Sequence, residues 1–229
     1  MAKSSIIKKL ACGEVDSEIA LNQLKLLLYE FPDQRISSWI ERELKGYNLE
    51  DEVPSYRKTV GALKGSILNY HIHASNVGIP LRADTPAEIS DFCNEVVLRE
   101  PIRVIRELAA KSENISITVP PDFYPYIIKY SLMPITAVLN ANVIIPSTAA
   151  LHILTVVNNK ILDILLLLEK EFGSLDNLDI DLGSKTEEEI QTIQKSINIY
   201  IYNDQNISIG NNNKISDTTI ASGSSLGES

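Results

Sequence analysis

The chain has 229 residues, 44% of them hydrophobic and 22% charged, with a formal net charge of −9. That length suits one generous domain, or one domain with an appendage, and the acid excess disfavours a phosphate-backbone ligand, whose affinity rests on Lys and Arg. Cys12 and Cys93 lie too far apart for a disulfide framework or a metal pattern and read as small buried thiols.

The N-terminal MAKSSIIKKLACGE carries no long apolar run, so no signal peptide is read there and a cytoplasmic location is expected. Residues 4–12 form a short amphipathic helix ending at Gly13. A longer helix runs from Ser17 to Glu30, with Ile19, Leu24, Leu27 and Leu28 along one side. Pro32 breaks it, because proline lacks an amide hydrogen and clashes with the preceding turn. The next helix spans Gln34 to Lys45, its Ile36, Trp39, Ile40 and Leu44 forming one face. Gly46 stands where a left-handed C-terminal cap is wanted.

Residues 47–57, YNLEDEVPSYR, form an acidic, proline-containing loop. In KTVGALKGSILNYHIHA (58–74), β-branched and aromatic residues punctuated by Gly61 and Gly65 predict two short strands, with Gly78 and Pro80 at the exit. Thr85, Pro86 and Glu88 then make a helix-start signal: an N-cap, a proline at the first helical position and a capping glutamate. Ile89, Phe92, Val96 and Val97 supply its inward face; Pro101 interrupts it and residues 102–111 resume it.

ISITV (115–119) reads as a strand stopped by Pro120-Pro121, with a short helix from Phe123 to Lys129 beyond. AVLN and NVII, within 137–145, read as short apolar strands. Ser147 caps a long helix to Phe172 whose stripe is Ala150, Leu154, Val157, Ile161, Leu165, Leu168 and Phe172. Ile153, Ile164, Leu166 and Leu167 widen that stripe, and a helix so apolar is central in a core or shared between subunits. Residues 130–159 hold no charge and exceed a membrane span in length, yet Pro134, Pro146 and asparagines 140, 142, 158 and 159 interrupt them, which favours a soluble core.

Residues 174–186 form an acidic linker, and Thr186 with Glu189 makes a capping box for a short helix through Gln194. SINIYIYNDQNISIGNNN (196–213) then alternates isoleucine with polar residues at Ile197, Ile199, Ile201, Ile207 and Ile209, and Ile215 follows. The expected architecture is therefore α+β. A mainly helical body with a small antiparallel sheet (1–173) is followed by a linker and short helix (174–195), a β tail (196–221) and a disordered end (222–229). One or two strands with isoleucine at every second position cannot bury their apolar face unaided. Stacking the segment from several subunits hides it, so the tail predicts a homo-oligomer, a three-fold stem ahead of a symmetric dimer. The plain alternative adds the tail to its own domain's sheet.

His71 and His73, two apart on a strand, face the same way and can hold a metal only with further ligands that no nearby residue supplies; an exposed polar face is the ordinary reading. Arg99, Arg103 and Arg106 share a helical face, with Arg82 shortly before, and form the best basic cluster for a phosphate or nucleotide. Glu95, Glu100 and Glu107 can equally pair with those arginines. The carboxylates at Asp176, Asp179, Asp181 and Glu187 to Glu189 lie in a linker and a helix start rather than on a rigid scaffold. No G-x-S-x-G, P-loop or H-E-x-x-H occurs.

WIERELKGY (39–47) and VPSYR (53–57) resemble the opening of the AbiTii family, in which Trp39, Glu43, Leu44, Gly46 and Tyr47 would close a helix and Pro54, Tyr56 and Arg57 begin the next element. REPIRVIREL (99–108) and NNKILDILLLLE (158–169) are similar to its middle and late segments, although Asn158-Asn159-Lys160 stands where more arginine is expected. The resemblance covers residues 4 to 172 and implies a setting in bacterial abortive infection, a form of phage defence, with no catalytic set to carry across.

These readings converge on a non-enzymatic, homo-oligomeric interaction or effector module needing no cofactor, whose partner would be a phage or defence-system protein rather than nucleic acid or membrane. The alternatives are a nuclease or nucleotide-directed toxin using Arg99, Arg103, His71 or His73, and a membrane-active toxin using residues 130–172.

Overall fold

The structure, a computed structural model, describes residues 3–111 and 113–202. The first third is helical, as the periodicity predicts. Helix α1 (Ser5–Ala11) buries Ile6, Ile7 and Leu10. Helix α2 (Ser17–Leu27) starts at Asp16, whose carboxylate accepts from the Ile19 amide at 2.9 Å. Helix α3 (Gln34–Lys45) starts at Asp33 in the same manner, accepting from Arg35 and Ile36. Each cap satisfies an amide that the first helical turn leaves open.

Residues 58–78 make three strands, where two are expected within 58–74. Strand β1 (Lys58–Val60) pairs with β4 (Glu95–Val97), while β2 (Ala62–Asn69) folds back on β3 (Ile72–Gly78). Gly61 separates β1 from β2 because the backbone presses on the second sheet there: a β-carbon at Gly61 would lie 2.3 Å from Val143 Cγ1. Strand β5 (Ile115–Thr118) and β6 (Ala137–Ile145) complete an antiparallel sheet in the order β3-β2-β6-β5. AVLN and NVII thus belong to one strand, β6.

Helix α4 (Ala87–Asn94) stops before Val96 and Val97. Those β-branched residues suit a strand, and β1 offers them a partner: Val96 sits opposite Thr59 and Val97 opposite Lys58. The expected threonine cap is not used as such. The Thr85 hydroxyl donates to the Arg82 carbonyl at 2.6 Å, and Pro86 occupies the cap position. Helix α5 (Ile102–Ala109) and α6 (Tyr124–Tyr130) follow as the prolines predict.

Helix α7 (Thr148–Phe172) is the hub, packed against α1, α2, α5 and the final helix. It is long and apolar enough to cross a membrane by length and composition. Its Ala150, Ile153, Val157, Ile161, Ile164, Leu165 and Leu168 are instead buried in the shared core. The stripe is shifted round the helix from the expected one: Leu154 and Phe172 are only partly buried.

The last described element corrects the β reading of residues 196–202. Helix α8 (Glu187–Tyr202) begins at the expected capping box, with the Thr186 amide donating to Glu189 Oε2 at 2.8 Å and the Glu189 amide to Thr186 Oγ1 at 3.3 Å. It then runs past Gln194. Ile193, Ile197 and Ile201 recur every four residues and bury in the core, whereas Ile199 is 46% exposed. Period-two alternation at 197, 199 and 201 coexists with this period-four set, and packing against α3 and α7 selects the helix. The preceding linker also joins the body: Leu175 is fully buried and the Ser5 amide donates to Asp176 Oδ1 at 2.7 Å. Ile207, Ile209, Ile215 and the segment 222–229 lie outside the described residues.

Candidate functional site

The residues that carry the sequence signature meet in one buried polar cluster. Trp39 and Glu43, one helical turn apart on α3, share a face; Tyr47 arrives just after Gly46, and Tyr56 and Arg57 arrive on a short 3-10 turn, Ser55–Arg57. Glu43 Oε1 accepts from the Tyr47 hydroxyl at 2.6 Å, the Tyr56 hydroxyl at 2.7 Å and Arg57 Nε at 3.2 Å. Glu43 Oε2 takes the Arg57 terminal nitrogen at 2.7 Å. The other terminal nitrogen of Arg57 donates to the carbonyls of Leu98 (2.9 Å) and Glu100 (2.7 Å). Trp39 Nε1 donates to the Tyr56 oxygen at 3.0 Å.

The backbone reinforces these contacts. The Leu98 amide donates to the Arg57 carbonyl at 2.9 Å and the Tyr47 amide to the Arg99 carbonyl at 2.8 Å. Gly46, at φ 91°, lets that approach happen: a β-carbon there would sit 2.8 Å from the Arg99 carbonyl oxygen. The signature therefore ties α3 and its following loop to the segment between β4 and α5.

The electrostatics are those of a closed system. Burial, then the Glu43 carboxylate, pushes the Tyr47 and Tyr56 phenols well above their ordinary range. Burial pulls Arg57 down, but the adjoining Glu43 charge outweighs it and the net direction is upward. Both phenols stay protonated as donors to Glu43, so neither serves as a base near neutral pH. Glu43 and Arg57 have no side-chain exposure, and the charge pair is complete within the protein.

Lys160 extends the cluster toward α8. Its ammonium lies 5.5 Å from the Tyr56 ring centroid and donates to the Tyr200 carbonyl at 3.0 Å. A cation at the last turn of a helix meets carbonyls that the helix leaves open. The same end of α8 is held from α3: Asn198 Nδ2 donates to Asp33 Oδ2 at 2.6 Å, and the Tyr202 hydroxyl to the Arg35 carbonyl at 3.1 Å. Sequence reasoning gives Lys160 no role. Its signal is a cation one turn from Val157 and Ile164 on the buried face.

The expected arginine cluster is dispersed into separate contacts. Arg82 pairs with Asp84 at 2.7 Å and Arg103 with Glu107 at 3.5 Å. Arg106 bonds to Asp16, the α2 cap, and Arg99 donates to the Asn48 carbonyl. Arg99 also borders a groove of about 430 Å³ with Asp51, Glu52, Ser55 and Lys58, whose charges are mixed in sign. His71 and His73 are exposed at the β2–β3 hairpin, and no metal-binding group of three or more His, Cys, Asp or Glu occurs among the described residues. Cys93 is buried as expected, and burial pushes its thiol up, but Cys12 is exposed: it follows α1 where the chain turns at Gly13.

An AbiTii family model matches residues 4–196, which takes in the whole buried cluster and most of α8. No curated protein and no solved structure matches the chain.

Proposed function

Since the chain belongs to the AbiTii family, whose setting is abortive infection and phage defence, we propose that it acts in the cytoplasm as a non-enzymatic, homo-oligomeric interaction module of an antiphage system. The observation that supports this reading is the sealed signature. The residues that carry the sequence resemblance bring two phenols and a guanidinium onto the Glu43 carboxylate and turn the rest of Arg57 onto backbone carbonyls. Such a cluster maintains shape rather than performing chemistry. Assembly through the isoleucine-bearing segment after α8 makes the effector that contacts a phage or defence-system protein.

Phage challenge of cells producing the full chain, beside size measurement of the purified protein, tests this. The Ile207→Asp/Ile209→Asp variant is expected to keep its fold, lose self-association and lose protection together. A purified protein that cleaves nucleic acid or hydrolyses nucleotides, and loses that activity on His71→Ala or Arg103→Ala, would overturn it in favour of an enzyme. Leakage from lipid vesicles would overturn it in favour of a membrane-active toxin.

A further inference from the structure

The sheet ends on a strand whose sequence the chain carries twice. Asn114-Ile115-Ser116-Ile117 runs into β5, and Asn206-Ile207-Ser208-Ile209 repeats the same four residues after α8. β5 stands last in the order β3-β2-β6-β5, so its outer edge pairs with no strand among the described residues. Ile115 and Ile117 are half-buried against the core, whereas Ser116 and Thr118 are exposed. An edge of this kind takes a further strand that is apolar on one face and polar on the other.

The opposite edge is a poorer seat. Register between β2 and β3 slips between Gly65 and Ile67, and Asn76 adopts φ 54° in the gap. A bulge of that type turns an edge away from pairing. β5 by contrast keeps one-to-one register with β6 over all four residues, from Ile115 opposite Ile145 to Thr118 opposite Asn142.

We propose that Asn206–Ile209 of a second copy adds as a strand to the outer edge of β5, an inference that rests on the homo-oligomer reading above. Ile207 and Ile209 extend the half-buried apolar strip of Ile115 and Ile117, and Ser208 lies beside Ser116 toward solvent. The I-S-I of that sequence already forms most of β5 in this sheet, so its repeat suits the adjoining position. Like residues meet like whichever way the strand runs. The short tether favours a neighbouring copy: three residues separate Tyr202 from Asn206 and reach at most about 14 Å, while α8 packs on α3 and α7 and β5 packs on β6. Each copy has one β5 edge and one repeat, so exchange closes a pair or a small ring with neither left over.

Mixed-chain cross-linking of the full-length protein tests this in a Cys12→Ser background. A tagged chain with Ser116→Cys and an untagged chain with Ser208→Cys are combined and oxidised. The expected result is a covalent tagged–untagged dimer, and at least a tenfold loss of self-association in the Ile207→Asp/Ile209→Asp chain. A link formed within one chain of the doubly substituted protein overturns the proposal. So does an oligomer that survives the Asp substitutions and gives no disulfide between positions 116 and 208, an outcome that leaves the homo-oligomer reading standing. A full chain that is monomeric at micromolar concentration overturns both.

Discussion

Glu43 and Arg57 form an ion pair at 2.7 Å with neither side chain exposed to solvent. Two tyrosine hydroxyls and two backbone carbonyls add to their hydrogen bonding. The pair is thus the centre of a network, and removing either of its two charges strands several other groups.

Glu43→Ala or Arg57→Ala is therefore expected to lower the unfolding free energy by about 3–5 kcal/mol, the cost of leaving one buried charge alone. Simple buried pairs recover when both partners become apolar. Here Glu43→Leu/Arg57→Met would leave the Tyr47 and Tyr56 hydroxyl protons without an acceptor and the Leu98 and Glu100 carbonyls without the Arg57 donor, while Trp39 Nε1 still donates to Tyr56, so the double variant should stay at least about 3 kcal/mol below the parent. Urea titrations of the three variants check this; full recovery in the double variant sinks the network account.

Gly46 and Gly13 separate two effects of a β-carbon. Both have positive φ, 91° and 73°. Nothing lies within 4 Å of a β-carbon at Gly13, but one at Gly46 meets the Arg99 carbonyl at 2.8 Å and Pro101 Cδ at 3.1 Å. Gly13→Ala should cost about 1 kcal/mol, the backbone term alone. Gly46, at ψ 171°, lies where glycine alone is at ease, and Gly46→Ala adds a clash at the joint between α3 and the segment before α5, so it is expected to cost about 3 kcal/mol. Equal thermal shifts in the two variants would contradict this.

Glu169 gives the protein an acid-side stability term. Burial alone raises its pKa, but donation from Lys3 Nζ, the Ser4 hydroxyl and the Ser4 amide outweighs it and holds the carboxyl down at about 2. A carboxylate depressed in the folded state stabilises above its unfolded pKa of 4.5, and that contribution disappears as pH falls through about 2. Discounted for screening, the effect is on the order of 1 kcal/mol. Glu169→Gln should be less stable than the parent at pH 7, with the gap closing between pH 4.5 and 2 in denaturant titrations. A gap independent of pH would remove the assignment.

Much of the fold is legible because its signals are local. Pro32 and Gly46 bound α3, Pro120 bounds β5, Ser147 and Gly173 bracket α7, and Thr186 with Glu189 opens α8. The misses are tertiary. Val96 and Val97 fit a helical face until β1 offers a ladder, and only the fold shows that offer. The candidate site is legible in composition but not in role. Trp39, Glu43, Tyr47, Tyr56 and Arg57 all stand out in the sequence, yet spacing alone cannot say that a carboxylate on one helix meets a guanidinium 14 residues later in a sealed cluster. The arginines that look clustered find separate acidic or carbonyl partners.

The end of α8 offers the sharpest contrast between a strand and a helix, since the two readings assign the same isoleucines different jobs. In a strand, Ile197, Ile199 and Ile201 share one face and should respond alike to truncation. In the helix, Ile197 is fully buried and Ile201 is 2% exposed, both within the core, whereas Ile199 is 46% exposed. Ile197→Ala and Ile201→Ala are therefore expected to cost about 2–4 kcal/mol each, and Ile199→Ala less than about 0.5 kcal/mol. Asn198→Ala should add a modest loss of about 1 kcal/mol, because the amide no longer reaches Asp33 across the helix pair. Chemical denaturation of the four full-length variants reads this directly. Equal losses at 197, 199 and 201 would restore the strand, while the period-four pattern fixes α8 as part of the body.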